Sequence, residues 1–152
     1  MMDTETRTTT ETRGSLRQLG VLAWLRMARV YQRIERESAR SLDAWDLSLA
    51  QFDVLAQVGA TEGLSQQELA EALLVTKGNV SQLVAKMERR GLLARSQEGR
   101  TLCLSLTPAG RALYERVVAA HEQWVAQRMA LLSPAELGHL SALLRKLDHA
   151  ES

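Results

Sequence analysis

The chain has 152 residues, of which 45% are hydrophobic and 4% aromatic, and its formal net charge is +1. This length and hydrophobic content predict one globular domain with a sizeable core and exclude a disordered polymer. The single cysteine excludes an internal disulfide framework and favours a reducing cytoplasm, where we expect the protein. The chain has no run of about 18 apolar residues and no signal-peptide core at its start, so we expect no membrane partner.

The first segment, residues 1–14, is polar, and we predict a disordered tail there. A long amphipathic helix is predicted from near Ser15, because apolar residues then recur every three or four positions: Leu19, Ala23, Met27, Val30 and Ile34. Further leucines make the apolar surface wider than one core contact requires. The helix is therefore expected to pack on a second partner, either another helix of the chain or another subunit.

Four later helices carry recognisable start signals. Ser48 with Gln51 and Ser65 with Glu68 fit the capping box, and Thr107-Pro108 places a cap before a first-turn proline. Ser133-Pro134-Ala135-Glu136 combines both devices. We predict the last two helices over 108–131 and 134–149, joined as an antiparallel hairpin. The predicted core side of the helix after Ser48 is Leu49, Phe52, Leu55, Ala56 and Val58.

The stretch from Leu64 to Gly110 carries the most functional information. A short helix opens at Ser65 with Leu69, Leu73 and Leu74 inward, and a second opens at Thr76 with Val80, Leu83, Val84 and Met87 inward and Gly91 just past its end. Two strands, 92–95 and 101–106, flank the polar loop 96–100. This order predicts a winged helix-turn-helix, in a mainly α fold with a small β-hairpin wing, whose second helix enters a DNA major groove.

The charge distribution favours a nucleic-acid partner although the total charge does not. Residues 76–100 contain six lysines and arginines against two glutamates, a net +4, which leaves −3 for the rest of the chain. A local basic stripe is typical of a surface that contacts phosphates. An ordinary solvated charged face is the alternative.

At this point the sequence resembles a known family. The segments 64–71 (LSQQELAE), 75–84 (VTKGNVSQLV), 87–93 (MERRGLL) and 104–110 (LSLTPAG) are similar, in order and spacing, to the MarR family of bacterial transcriptional regulators. The likeness extends over roughly residues 16–149. It implies one domain over 15–152, with dimerisation helices in 15–47 and 108–149 and the winged module in 48–107. It also implies a homodimer on a pseudo-palindromic operator.

One departure from the family concerns the wing. Family wings usually carry a longer loop with an aspartate followed by paired arginines, whereas this chain has Glu98-Gly99-Arg100. Arg100 matches one arginine, and Gly99 replaces the other. We predict that Arg100 enters a DNA minor groove, with a solvated wing tip as the alternative. For Arg95 the alternatives are a similar contact and a salt bridge within the wing.

The second helix offers two kinds of DNA-contacting side chain. We predict that Ser81 and Gln82 read base edges, and Gln82 and Asn79 have the amide geometry for adenine. For Asn79 base reading and a plain soluble helix position are equal alternatives. The residues assigned to phosphate are Lys77, Lys86 and Arg90, together with Thr76, which also caps the helix. Gly78 permits close approach of the backbone to DNA or is simply tolerated there.

Other chemistry is not indicated. Cys103 alternates with Leu102 and Leu104, so we expect it to point away from the leucine face as an inert thiol. The three histidines have no metal-ligand spacing, and no phosphate loop or nucleophile–base pair is recognisable. We therefore predict no enzyme, no catalytic residue, no metal and no cofactor.

The predicted function is a sequence-specific DNA-binding regulator, a repressor, acting on double-stranded DNA as a homodimer. The family resemblance implies a small aromatic or anionic effector, for which the candidate residues by position are Met27, Tyr31, Trp45, Phe52, Arg111 and Tyr114. Ordinary packing is the alternative role for each of them. The alternative function is a winged module that contacts proteins and has lost its DNA affinity.

Overall fold

The computed structural model describes residues 4–73 and 76–149, with side chains from Gly14 onward. In chain order the elements are α1 (Thr4–Leu42), a 3₁₀ turn (Asp43–Trp45), α2 (Leu49–Ala60), α3 (Gln66–Ala72), α4 (Lys77–Arg89), β1 (Leu93–Glu98), β2 (Thr101–Leu106), α5 (Pro108–Met129) and α6 (Pro134–Asp148). The mainly α fold with a β-hairpin wing is confirmed. Leu74, predicted to face inward, lies outside the described residues, as do positions 1–3 of the predicted tail and 150–152 of the predicted domain.

The chain divides between Ala44 and Trp45 into two compact units. The first contains α1, and the second contains the winged module together with α5 and α6. Within the second unit, α5 packs on α2 and β2. The assignment of 15–47 and 108–149 to dimerisation and of 48–107 to the winged module stays a prediction.

Helix α1 is 39 residues long, which corresponds to about 58 Å. It begins at Thr4, so the start predicted near Ser15 is wrong by about three turns, and residues 4–14 of the predicted disordered tail are helical. The physical reason is cooperativity. Once a helix is nucleated, extending it by another turn costs little free energy, and no proline interrupts this segment. Its exposed large side chains are Leu16, Leu19, Val21, Leu22, Trp24, Leu25, Met27, Val30 and Tyr31.

Helix α2 lies at the centre of the second unit. The Ser48 hydroxyl accepts from Gln51 N, and the Gln51 amide oxygen accepts from Ser48 N, which confirms the capping box. Phe52, Leu55 and Val58 are buried as predicted, whereas Leu49 and Ala56 are only half-buried. Val54, not predicted, is fully buried. Because α2 contacts α3, α4, α5 and β2, it is covered on more than one side.

Helices α3 and α4 form the helix-turn-helix. Ser65 and Glu68 make the second predicted capping box, and the Thr76 hydroxyl caps α4 by accepting from Asn79 N at 3.3 Å. Leu69 is fully buried on α3, and Val80, Val84 and Met87 are fully buried on α4. Leu73 and Leu83 are half-buried, so the inward face is narrower than predicted. These contacts fix α4 on the module by its apolar side.

The end of α4 leads directly into the wing. Gly91, with φ of 72°, and Leu92 donate their backbone N–H groups to Glu88 O and Met87 O, the pattern of a Schellman motif. Strands β1 and β2 then pair antiparallel, from Leu93 opposite Leu106 to Glu98 opposite Thr101. Leu104 N donates to Leu64 O at 2.8 Å, which joins the hairpin to the start of α3.

Helices α5 and α6 follow the wing and begin at the predicted caps. Thr107 and Ser133 cap them, and each has proline in its first turn. Val117 of α5 is fully buried. In α6 the leucines at 140, 143, 144 and 147 recur on one face, yet all are between 39% and 64% exposed. The single chain therefore leaves this apolar stripe largely uncovered.

Candidate nucleic-acid interface

The outer side of α4 presents the residues predicted to contact DNA. Lys77, Gly78, Asn79, Gln82 and Lys86 are exposed, while Ser81 is half-buried. Gly78, Gln82 and Lys86 are four residues apart, so they form one ridge along the helix, opposite the buried Val80 and Val84. Gln82, predicted to read bases, and Lys86, predicted to bind phosphate, therefore share one accessible surface.

Arg89 belongs to this surface, although the sequence analysis gave it no role. It is exposed, and it follows Gln82 and Lys86 along the ridge at helical spacing. The same 3.6-residue period that identified Gln82 from the sequence also points to Arg89. It was missed because the residue roles were assigned mostly near the start of the helix.

Arg90 occupies a different position from the one predicted. It is the C-cap residue of α4, and its guanidinium donates to the Asp46 backbone oxygen at 2.7 Å and to the Gln51 side-chain oxygen at 3.4 Å. A further contact of 3.4 Å reaches the Asp46 carboxylate. The Arg90 side chain is 27% exposed. It therefore fastens the end of α4 to the segment before α2, and we do not retain it among the proposed phosphate contacts.

Arg95 forms an ion pair with Glu88 on α4. It lies opposite Leu104 in the hairpin register, on the side of the wing that faces the module. One predicted alternative for Arg95 is a salt bridge within the wing, whereas the observed partner, Glu88, is on the recognition helix. This contact holds the first strand of the wing against α4, and we do not retain Arg95 as a DNA contact.

The wing turn is tighter than predicted. Ser96, Gln97 and Glu98, assigned to a loop, belong to β1, and only Gly99 and Arg100 connect the strands. Gly99 has φ of 62°, which suits a glycine at the first position of a two-residue hairpin turn. Gln97 Nε2 donates to Gly99 O at 3.1 Å. The prediction failed because pairing with β2 overrides the weak strand propensity of polar residues.

Two surface grooves flank α4. The wing-side groove has a volume of about 240 Å³ and is lined by Ser65, Gln66, Gln67, Lys77, Arg100, Thr101 and Leu102. The α2-side groove has a volume of about 450 Å³ and is lined by Ala50, Asp53, Leu73, Asn79, Gln82, Leu83 and Lys86. Each groove thus contains residues predicted to bind DNA.

Cys103 is 7% exposed and therefore buried, as is Leu104, whereas Leu102 is 38% exposed. Successive residues of a strand point to opposite faces, so Cys103 points away from the face of Leu102 and Leu104, as predicted. It is buried all the same, because helices α2, α3 and α5 all contact β2. Burial raises the pKa of the Cys103 thiol, and the nearby Glu98 and Glu68 carboxylates raise it further. A protonated, buried thiol is a poor nucleophile, which supports the inert role.

The effector candidates of the second unit are engaged in packing. The Phe52 ring lies 4.4 Å from the His121 ring, and the Trp45 ring lies beneath the Arg116 guanidinium at 5.0 Å. Arg111 donates to Gly59 O at 3.0 Å and lies over the Tyr114 ring at 5.3 Å. The candidates of the first unit, Met27 and Tyr31, are exposed.

Three further observations concern other classes of site. Across residues 4–73 and 76–149, no three His, Cys, Asp or Glu side chains are grouped so that they could hold a metal ion. Over the same residues, the helices fall short of the combined length and apolarity that crossing a bilayer requires. Burial lowers the pKa of His121, against the opposing effect of Asp53 and Glu122.

Together, a capped recognition helix with an exposed polar ridge, a supporting helix and a two-stranded wing define a winged helix-turn-helix regulator. Residues 45–100 match the family model described as MarR family. An HTH-type transcriptional regulator of Bacillus cereus is 39% identical over 100 residues, covering 66% of this chain and 68% of the relative. The chain belongs to the MarR family, whose members are transcriptional regulators and not enzymes.

Solved structures agree with this assignment. A structure of Bordetella bronchiseptica BpsR, from work on regulation of its DNA binding by 6-hydroxynicotinic acid, is 31% identical with a TM-score of 0.70 over 80% of this chain and 90% of that one. The structure of the Staphylococcus aureus MepR–DNA complex has a TM-score of 0.75 at 24% identity, over 83% of this chain and 95% of that one, a likeness of fold.

Proposed function

We propose that the protein is a sequence-specific DNA-binding repressor that acts as a homodimer on a pseudo-palindromic operator. The observation that carries this proposal is the exposed ridge of α4, where Gly78, Gln82, Lys86 and Arg89 lie at helical spacing opposite a fully buried apolar face. A helix held in this way presents its polar side to a major groove. The proposed site of action is the cytoplasm, where the bacterial chromosome lies.

The polar residues of α4, on the ridge and beside it, fall into two groups by their proposed contact with DNA. Gln82 and Ser81 read base edges, and Asn79 adds a second amide close to the helix start. Lys77, Lys86 and Arg89 bind phosphates, since flexible cations suit a sequence-independent partner. Thr76 uses its hydroxyl oxygen as the helix cap and retains its hydrogen for a phosphate. Gly78 is exposed with open space around it, so the DNA backbone can approach the helix closely there.

The dimer is supported by the exposed leucines of α6, because burying the exposed half of such a side chain stabilises an interface by about 1 kcal/mol. The apolar residues of α1 offer a second surface of the same kind. A two-fold dimer would present two recognition helices about 34 Å apart, to half-sites one helical turn apart. The named repressor MdtR of Bacillus subtilis, 27% identical over 129 residues, supports a repressive role.

We further propose that a small aromatic or anionic effector weakens DNA binding. The published regulation of BpsR by 6-hydroxynicotinic acid supports ligand control in a relative. An effector acts only if it binds the DNA-competent and incompetent conformations unequally. Adding 6-hydroxynicotinic acid and other aromatic carboxylates to the DNA complex should release DNA with at least one of them, and variants at Met27 and Tyr31 test the exposed candidates.

The test of DNA binding starts with selection of bound fragments from the source genome, followed by a salt titration of the best duplex. We expect a steep linear fall of log affinity with log salt. Lys77→Glu with Lys86→Glu should abolish binding, while Arg145→Glu with Lys146→Glu in the last turn of α6 serves as the charge-matched control. A parent protein that selects no fragment at low salt would contradict the proposal and favour the protein-contact alternative.

A further inference from the structure

The wing-side groove differs in charge from the groove on the other side of α4. Its lining includes the cations Lys77 and Arg100, and none of its seven lining residues is acidic. The α2-side groove contains Lys86 but also Asp53. An anion is therefore attracted more strongly to the wing-side groove. At about 240 Å³, this groove accommodates a phosphate group with its water molecules.

The short turn directs Arg100 towards this groove. Glu98 pairs with Thr101, so Arg100 leaves the hairpin directly beside the paired strands, and the Gln97–Gly99 hydrogen bond closes the turn. Its side chain then lines the same groove as Lys77, the first residue of α4. An arginine on a long mobile loop can extend away from the module, whereas this one lies next to the recognition helix.

Gln66, one of the residues that line this groove, also carries a polar atom without a partner. Its Oε1 atom is buried and accepts no hydrogen bond from the described part of the protein. Buried acceptors usually have a donor, which a water molecule can supply. A water that donates one hydrogen to Gln66 Oε1 can donate the other to a phosphate oxygen. Gln66 is therefore compatible with a hydrated anion held by the two cations.

We propose that Lys77 and Arg100 bind one DNA backbone phosphate between them in this groove, so that the wing acts on phosphate and not in the minor groove. This inference rests on the proposed function, because it specifies which part of the DNA this surface binds. Arg100 supplies directional guanidinium donors, and Lys77 supplies a flexible ammonium from the opposite wall. The wing then positions the recognition helix without reading sequence.

The experiment uses the full-length protein and the selected operator duplex, with affinity measured by fluorescence anisotropy over a range of salt concentrations. The variants are Lys77→Ala, Arg100→Ala and the double variant, with Lys146→Ala as control. A shared phosphate predicts that the double variant loses about 0.9 of the log–log salt slope per subunit, the value for a single phosphate. Each single variant should lose less of the salt slope than the double variant does. The affinity of the control should stay within about twofold of the parent's affinity.

A second measurement separates phosphate from minor-groove contact. Replacing G·C pairs beneath the wing with inosine·C alters the minor groove while leaving the phosphates in place. We expect Arg100→Ala to reduce affinity by about the same factor for both duplexes. A factor that depends on the base pair would overturn the inference, and so would a double variant that loses about 1.8 of slope per subunit. If the parent binds no duplex, the proposed function fails first and this inference with it.

Discussion

The winged module and helix α6 differ in how far their apolar side chains are buried. In the module Leu55, Leu69, Met87 and Leu104 are all fully buried within one chain. In α6 the leucines at 140, 143, 144 and 147 recur on one face and remain 39–64% exposed. Apolar side chains thus form a completed core in one region and an uncovered stripe in the other. In the proposed dimer, the residues that contact DNA would be held within one subunit, whereas the spacing of the two recognition helices would depend on both subunits.

The strongest test of this difference targets the stripe on α6. Leu140→Glu combined with Leu144→Glu should convert the dimer into monomers, because charges replace side chains that a partner would bury. DNA affinity should fall at least about 100-fold, since the two half-sites are no longer bound by one molecule. Sedimentation and anisotropy measure the two effects.

The control is a comparison of the single variants Leu144→Glu and Ala142→Glu, of which the second places one glutamate on the opposite side of α6. Ala142→Glu should leave both the dimer and DNA binding in place. A parent protein that sediments as a monomer at micromolar concentration would contradict the proposed role of the stripe.

A pair of glycine substitutions compares packing in the two regions. A Cβ at Gly59 on α2 would fall on the Tyr114 ring, so Gly59→Ala should lower the free energy of unfolding by about 1–3 kcal/mol. Gly138 on α6 has open space around it, and Gly138→Ala should raise the free energy of unfolding by about 0.5–1 kcal/mol. Urea unfolding at one fixed protein concentration measures both. Equal effects would show that the two regions are packed alike.

Adjacent arginines separate stability from DNA binding at the end of α4. Arg90→Ala removes hydrogen bonds to Asp46 and Gln51 and should lower the free energy of unfolding by about 1 kcal/mol, since the site is partly exposed. Arg89→Ala should leave stability within about 0.5 kcal/mol but reduce the salt slope of DNA binding by about 0.9 per subunit. The opposite pattern would reverse the roles assigned to the two residues.

The smallest expected effect is on the pH dependence of the free energy of unfolding. In both regions a glutamate accepts from a capping serine, and the backbone N–H of Ser65 or Ser133, followed by the serine hydroxyl, lowers the pKa of Glu68 or Glu136. Because the folded-state pKa is lowered, the stabilisation is present above the ordinary glutamate pKa and is lost as pH falls through the folded value. The free energy of unfolding should therefore depend less on pH between pH 6 and 3 in Glu68→Gln than in the parent.

The matching variant on α6 is Glu136→Gln, with Glu115→Gln on α5 as control. If α6 folds in the same cooperative transition as the module, Glu136→Gln should flatten the pH dependence in a similar way. An effect of Glu68→Gln alone would mean that α6 unfolds separately.

Local signals in the sequence were sufficient for the starts of α2, α3, α5 and α6, although not for the start of α1. Ser48, Ser65, Thr107 and Ser133 each carry their partner within three residues, so a short window contains the whole capping interaction. The positions that failed depend on distant residues. Arg90 finds its partner 44 positions away, and the polar end of β1 is a strand only because β2 pairs with it. The roles of the α4 ridge remain predictions.

Thr107 joins the start of α5 to the end of α4, so the two helices are coupled. Its hydroxyl donates to Gly91 O at 2.6 Å, and its backbone N–H donates to Leu92 O at 3.1 Å, so the first turn of α5 is clasped to the end of α4. The 22 residues of α5 then form a lever of about 33 Å. A tilt of about 10° between lever and module corresponds to about 6 Å at the far end, close to the rise of two base pairs. In the proposed dimer, the tilt of α5 relative to the winged module would therefore set the distance between the two recognition helices.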